Sequence, residues 1–374
     1  MKPFNATWQQ GRTSRQAHRD LPAGTFEREL GREGFNGPSA RLYHRRPPTS
    51  WVSVDGPLRP RAFDLNNASA SEDPWQGSTI LKNAYVQIAI WTMSESMQSL
   101  CRDADGDLTI FVHEGHGDFF CDFGHMQVHT GDYIVVPRGT MWRIESSGEV
   151  RTLLIEAVGA QIQLPDRGLL GPHAIFDPAN LDTPAMNDRF ADQQQDDSSW
   201  VVKVKKHGEV TSLTYPYNPL DAVGWTGDLA PVRINVRDLL PINSHRYHLP
   251  PSVHATFASD RFLISTFVPR PFESDETAIK IPFFHNNEDY DEVLFYHDGD
   301  FFSRDHIDAG MMTFHPGGIT HGPHPGALAR MFEQPDTHTN EVAVMVDARD
   351  PLVVCAPEYE IEGYATSWVG AEKK

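Results

Sequence analysis

The sequence predicts an all-β chain, sandwich or barrel, whose core pattern occurs twice behind an irregular, Pro-rich N-terminal arm. Two observations carry this reading. Apolar runs of four to seven residues recur between turn residues, with almost no long helical periodicity. A turn–strand–turn spacing, Gly-x-x-x-x-x-Pro-x-Gly-x-x followed by a ring residue, appears once in each half.

In chain order, residues 1–80 form the arm. Arg45-Arg-Pro-Pro48 and Leu58-Arg-Pro-Arg61 resist both helix and central strand, because proline lacks a donor and fixes φ. Tyr43, Trp51 and Phe63 give the arm something to pack with, on a core built elsewhere in the chain or on a neighbouring subunit. Residues 81–170 carry the first set of strands, among them Tyr85-Val-Gln-Ile-Ala-Ile-Trp91, Leu108-Thr-Ile-Phe-Val112, Tyr133-Ile-Val-Val136 and Thr152-Leu-Leu-Ile155. Residues 171–199 are rich in Pro, Asp, Asn and Gln and read as a linker with one short helix. Residues 200–374 return to strands, with Trp200-Val-Val-Lys-Val204, Phe262-Leu-Ile-Ser-Thr-Phe-Val268, Val293-Leu-Phe-Tyr296 and Val342-Ala-Val-Met-Val346.

Composition narrows the function classes. The 374 residues hold 32 Lys and Arg against 51 Asp and Glu, a net charge of −19, which repels phosphate backbones and argues against nucleic acid. Three scattered cysteines, Cys101, Cys121 and Cys355, make neither a disulfide framework nor a thiolate zinc site, and fit a reducing cytoplasm. No apolar run is long enough to span a membrane, and Met1 to Gln10 lack a signal-peptide core, so a soluble, cytoplasmic protein is expected.

The repeat is the most informative pattern. Its first copy is Gly131-Asp-Tyr-Ile-Val-Val-Pro137-Arg-Gly139-Thr-Met-Trp142, and its second Gly310-Met-Met-Thr-Phe-His315-Pro316-Gly-Gly318-Ile-Thr-His321. The first glycine opens a turn, five residues make a strand, and Pro-x-Gly turns the chain again. Upstream of the second copy lie His285 and Glu292, so two imidazoles and a carboxylate fall within 37 residues of β-meander. That donor set, with coordination positions left open, suits non-haem Fe(II). The spacing resembles the second signature of the cupins, which implies two double-stranded β-helix barrels per chain. Trp142 closes the first copy, and Leu100-Cys-Arg-Asp-Ala-Asp-Gly106 stands where that copy would need its His-x-His, so one barrel only is expected to hold metal. His113, His116, His125 and His129 fall in that copy and are read as surface or structural residues.

Further stretches are similar to the homogentisate 1,2-dioxygenase family: Val223-Gly-Trp-Thr-Gly-Asp228, Ile242-Asn-Ser with His248-Leu-Pro-Pro-Ser252, Phe267-Val-Pro-Arg270, Pro282-Phe-Phe-His-Asn286 and Thr320-His-Gly-Pro323. The likeness covers residues 200–325 well and the first half weakly. It implies Fe(II) held by His285, Glu292 and His321, with His248 as the base that deprotonates a phenol and His315 lining the pocket. The substrates it implies are a para-hydroquinone, homogentisate or a relative, and O₂, and the product is a dicarbonyl acid such as maleylacetoacetate. That places the enzyme in aromatic-compound catabolism, the breakdown of tyrosine and phenylalanine in particular. The family forms trimers paired into hexamers, and with the long arm this implies a homotrimer or hexamer.

The sequence also departs from the family. The interval from His285 to Glu292 is one residue longer and carries acidic Glu288-Asp-Tyr-Asp291. Phe283 and Phe301 replace expected pocket tyrosines, and the chain is shorter. Phe283, Phe284, Phe295 and Phe301 are expected to wall the metal pocket, and Arg270 or Arg246 to meet a substrate carboxylate. The same three ligands would also serve Zn²⁺ or Mn²⁺ in a cupin isomerase or hydrolase, or a non-catalytic binding cupin.

Overall fold

A computed structural model describes residues 8–195, 197–330 and 336–368, so the first seven residues of the arm lie outside it. Its architecture is nearly all β, with two short α-helices, Asp188–Gln193 and Pro325–Arg330, among the described residues. Among the described residues no helix is long and apolar enough to cross a membrane.

Two sheets build the first barrel. A seven-stranded sheet runs in the order Val232–Asn235, Asp132–Val136, Gly106–Glu114, Val150–Val158, Val86–Met93, Ser78–Lys82, Val353–Val354. Facing it is a six-stranded sheet ordered Glu209–Tyr215, Trp200–Lys206, Leu100–Asp103, Met141–Glu145, His116–Cys121, Gly124–His129. The second barrel pairs another six-stranded sheet, Ala255–Ala258, Phe262–Phe267, Val342–Ala348, Asp291–Asp298, Met311–His315, Arg61–Asp64, with a three-stranded one, Phe284–Asn287, Phe26–Gly31, Ser39–His44.

Strand periodicity explains how the layers stack. Successive side chains alternate between faces, so in Val86–Met93 the residues Ile88 and Ile90 face the second barrel while Ala89 and Trp91 face their own interior. Both faces are buried, which is why these strands read as nearly continuous apolar runs. The largest core cluster fills the seam between barrels, with Ile88, Phe111, Tyr133 and Ile155 from one side and Phe257, Val293, Phe295 and Val344 from the other. A hydroxyl pair, Tyr133 Oη with Thr266 Oγ1 at 2.9 Å, crosses the same seam. So does a histidine pair, His113 Nδ1 and His297 Nδ1, also 2.9 Å apart.

One expected boundary differs from the sheet pattern. The hairpin Trp200–Lys206 and Glu209–Tyr215 does not open the second barrel; it joins the first, through parallel pairing with Leu100–Asp103. Val232–Asn235 likewise pairs with Asp132–Val136. The division expected at residue 200 therefore cuts through the first barrel's sheets, because strand texture alone does not say which sheet a strand joins. The arm, for its part, contributes Phe26–Gly31, Ser39–His44 and Arg61–Asp64 to the second barrel of its own chain.

Candidate metal centre

The second copy of the repeat keeps its backbone logic. Gly310 and Gly318 take φ of +81° and +86°, conformations that favour glycine. The strand between them, Met311–His315, pairs with Asp291–Asp298 so that His315 lies opposite Glu292. On Asp291–Asp298 alternation sends Val293 and Phe295 to the barrel seam and leaves Glu292 on the inner face. The chain then turns back so that His321 and His285 exchange two backbone hydrogen bonds, each 2.9 Å. This isolated bridge brings the two imidazoles to 4.2 Å between centroids.

The three side chains converge as the sequence suggests. Glu292 Oε2 lies 3.5 Å from His285 Nε2 and 3.4 Å from His321 Nε2, and one donor atom from each residue falls within 4.8 Å of the others. His285 Nδ1–H donates to the Phe283 carbonyl at 3.0 Å, and His321 Nδ1–H to that of Ile319 at 3.2 Å. Those bonds fix the tautomers and turn both Nε2 lone pairs inward. His321 Nε2 is buried with no hydrogen-bond partner, and an orphaned buried acceptor calls for an explanation. A cation between the two imidazoles and the carboxylate supplies one, and the donor set fits a divalent metal.

The electrostatics agree at Glu292 and His321; at His285 burial lowers the imidazole but the Glu292 carboxylate raises it above its ordinary value. Burial alone would raise the Glu292 carboxyl, but the neighbouring His321, His285 and His315 rings hold it well below the usual carboxylate range. Burial lowers His321, helped by the neighbouring His285. Both favour an ionised carboxylate beside an imidazole that keeps its lone pair.

His315 is fully buried, unlike a residue lining an open pocket. Its Nδ1 reaches Glu292 Oε1 at 2.9 Å and its Nε2 the Tyr364 hydroxyl at 3.3 Å. Burial depresses it to about 3, so it stays neutral and orients the carboxylate. His248 sits on its Pro-rich loop with Nδ1 3.1 Å from Glu273 Oε1, and its ring meets Phe283 edge-on at 6.0 Å. Phe283 in turn packs at 5.3 Å from His285.

The other expected wall residues are elsewhere. Phe301 packs against Tyr296 at 4.7 Å in a core cluster with Ile307, Ala343 and Trp368. Phe295 belongs to the barrel seam, and Phe284 meets Phe26 of the arm at 6.4 Å. Arg270 is buried and already neutralised by Glu341 at 3.0 Å, and Arg246 is exposed.

Several residues near the centre carry no local sequence signal. His18 stacks face to face on Phe283 at 3.9 Å and pairs with Glu27 at 2.5 Å. Phe35 meets the His285 ring at 5.3 Å. Asp347, aligned with Glu292 on the adjacent strand, is pushed up to about 8 by burial and then by the Glu292 charge. Glu273, 25 positions from His248, is the carboxylate that orients it. All four are brought in by pairings and loops distant in the chain.

In the first barrel Trp142 occupies the equivalent end of the motif. It is fully buried, 5.7 Å from Phe119 and 6.2 Å from Trp91, and the interior is closed by apolar side chains. A second group of carboxylates, Asp103, Asp105 and Glu156, surrounds the Lys205 ammonium, which pairs with Glu156 and lies 3.0 Å from Asp103. Of the four histidines read as surface or structural, His113 and His125 are buried; His125 pairs with Asp118 at 2.7 Å.

Comparison with known proteins finds similar sequences. The family described as "Homogentisate 1,2-dioxygenase N-terminal" matches residues 75–236, the half in which the sequence motifs were weakest. A candidate dioxygenase of Saccharolobus solfataricus is 31% identical over 363 residues, covering 91% of this chain and 92% of its own length. Homogentisate 1,2-dioxygenases of Bradyrhizobium diazoefficiens and Rhizobium etli are 27% and 29% identical, each over 73% of this chain. The chain spans 63% of the length of those two enzymes. Among solved structures, a cupin 2 conserved barrel domain protein from Leptotrichia buccalis aligns over 77% of this chain and 96% of its own, with 8% identity and a TM-score of 0.34.

Proposed function

The chain belongs to the homogentisate 1,2-dioxygenase family of the cupins, and from that premise we propose that it is a non-haem Fe(II) dioxygenase that opens the ring of a para-hydroquinone. Homogentisate or a close relative is the substrate, O₂ the co-substrate, and a dicarbonyl acid such as maleylacetoacetate the product. The observation that carries this reading is the convergence of two inward-facing imidazole nitrogens and one ionised carboxylate, with His321 Nε2 otherwise unpartnered.

His285, Glu292 and His321 would hold the iron. Bound there, Fe(II) supplies exchangeable positions for a phenolic oxygen and for O₂, and the electronic path between them. The chain's residues do the rest. His315 holds Glu292 from behind, keeping the carboxylate aimed at the centre. The Glu273 carboxylate fixes the His248 ring through Nδ1, so Nε2 remains to take the proton of the substrate hydroxyl. Phe283, packed against His285 and His18, gives an apolar wall that keeps water from the ring.

The test is metal analysis of anaerobically loaded protein, followed by O₂ uptake with homogentisate, gentisate and substituted hydroquinones. Stoichiometric iron and uptake with at least one para-hydroquinone are expected. Turnover with Zn²⁺ or Mn²⁺ and no O₂ consumption would reassign the site to an isomerase or hydrolase. His248→Ala should retain iron while its rate falls about 10²-fold or more; loss of iron in that variant would remove His248 from the base role.

A further inference from the structure

The side chains of His285, Glu292 and His321 are all more than nine-tenths buried, so a substrate reaches them past few others. Three rings pack directly on the His285 imidazole. Two of them, Phe283 and His321, are themselves buried in the barrel. The third is Phe35, half-buried, on a 3₁₀ turn (Gly34–Asn36) of the N-terminal arm, edge-on to His285 at 5.3 Å and to Phe283 at 6.1 Å. That turn packs against Pro251–His254, just beyond the His248 loop. Phe35 therefore stands where the centre meets solvent, between the ligand strand and the loop of the base.

The arm is held there by a specific set of bonds. Strand Phe26–Gly31 runs parallel to the ligand strand Phe284–Asn287, with Glu29 in register with His285. Beyond it, Asp289 receives the Arg32 guanidinium through both oxygens, at 2.8 and 2.9 Å, and the Glu33 backbone N–H at 2.8 Å. Asn287 Oδ1 accepts from the Gly34 N–H at 3.3 Å. The loop follows a path that few residues tolerate. Glu33 and Gly34 take φ of +57° and +66°, and a Cβ on Gly37 would lie 2.2 Å from the Arg32 carbonyl oxygen. Asp289 belongs to the acidic Glu288-Asp-Tyr-Asp291 stretch that lengthens the interval between His285 and Glu292.

We propose that Phe35 is a specificity-determining residue, the wall that sets how large a ring substituent the metal centre accepts, and that the Arg32–Asp289 clasp positions it. The proposal rests on the hydroquinone reading above. Its substrate class is a para-hydroquinone whose substituent points toward the arm. Truncating the wall opens room for bulk, and enlarging it closes that room.

The test is calorimetric titration of anaerobic Fe(II)-loaded protein with para-hydroquinone and with tert-butylhydroquinone, in wild type, Phe35→Ala, Phe35→Trp and Asp289→Asn. Amide exchange of residues 31–38 is followed in the same proteins without ligand. Phe35→Ala should raise the affinity ratio, tert-butyl over parent, by about tenfold, and Phe35→Trp should lower it by about threefold or more. Asp289→Asn should speed exchange across residues 31–38 and move the ratio in the direction of Phe35→Ala. If both ligands bind wild type and the ratio stays within about twofold in both Phe35 variants, the wall assignment is overturned while the hydroquinone reading stands. Unchanged exchange in Asp289→Asn overturns the clasp. Failure of both ligands to bind wild type overturns the hydroquinone reading, and this inference with it.

Discussion

The two barrels of this chain run the same backbone device to different ends. In each, a glycine with positive φ opens a five-residue strand and a second closes the turn after it: Gly131 and Gly139 at +87° and +94°, Gly310 and Gly318 at +81° and +86°. Both strands bury one face in the seam between barrels, through Tyr133 and Val135 on one side and Met312 and Phe314 on the other. The difference lies at the end of the motif. Trp142 lands in a regular strand, between Cys101 and Cys121, and its indole fills the interior with Phe119 and Trp91. His321 lands in an isolated bridge with His285, where the interior holds a carboxylate and a second imidazole. A bulky apolar ring turns the fold into a packed support, and an imidazole leaves it a polar centre that could hold a metal ion.

Removing ligands breaks that comparison most severely. His285→Ala, Glu292→Ala and His321→Ala should each abolish stoichiometric iron binding and reduce turnover by about 10³-fold or more, while circular dichroism stays that of the folded protein. The fold survives because the seam between barrels, not the metal, supplies the main core. Stoichiometric iron in any one of these variants would show that its residue is not a ligand.

The matching cut in the other barrel is Trp142→Ala. Deleting a fully buried indole should cost about 3–5 kcal/mol of stability through lost transfer energy and the cavity left behind. Iron affinity should change little, since Trp142 packs within the first barrel's own core cluster. Urea unfolding with parallel metal titration checks both. A variant that stays as stable as wild type, or that loses its iron, would contradict the division of labour between barrels.

The seam between them should be sensitive to acid. His113 and His297 share one hydrogen bond, and burial depresses both imidazoles to about 4, with Arg151 next in effect on His113 and the His113 ring next in effect on His297. Asp298 opposes the shift at both rings, Glu114 also opposes it at His297, and Arg237 adds to it there. A folded-state value below that of the unfolded chain means that the unfolded chain takes up protons first. Stability is then full above pH 6.5 and falls as pH drops toward 4, by roughly 3 kcal/mol per imidazole at most. Replacing both residues with Leu should flatten that part of the pH–stability curve; an unchanged slope would place the acid sensitivity elsewhere.

How much of this was legible follows from the range of each signal. The three candidate ligands were legible because they fall within 37 residues of sequence, although His285 lies in the three-stranded sheet and Glu292 in the six-stranded one. The first barrel's strands were legible as apolar runs such as Tyr133–Val136, which the structure buries on both faces. The contribution of the arm was not, since Phe26–Gly31 finds its partner more than 250 residues later and nothing in its composition marks that register. Glu273 and His297 were missed for the same reason: each acquires its meaning from a partner distant in the chain. The hairpin at 200–215 reads like any other strand pair, so its membership of the first barrel shows only in the parallel bond pattern.

Phe283 and Phe301 give the smallest expected effect and separate the candidate pocket from the core behind it. The sequence treats them alike, as phenylalanines at two expected tyrosine positions. The structure does not. Phe283 touches His18, Phe35, His248 and His285, so a hydroxyl added there enters the candidate site. Phe301 packs against Tyr296 among Ile307, Ala343 and Trp368, where an added hydroxyl finds apolar neighbours. Phe283→Tyr should therefore shift the ratio of kcat/KM between acidic and neutral hydroquinones by about threefold to tenfold, because polar pairing in a buried site discriminates between substrates. Phe301→Tyr should leave that ratio within about twofold and instead lower stability by about 1–3 kcal/mol, the cost of burying an unpaired hydroxyl. Should Phe301→Tyr move the ratio and Phe283→Tyr leave it unchanged, the wall of the pocket lies on the Tyr296 side of the metal centre, and Phe283 is packing alone.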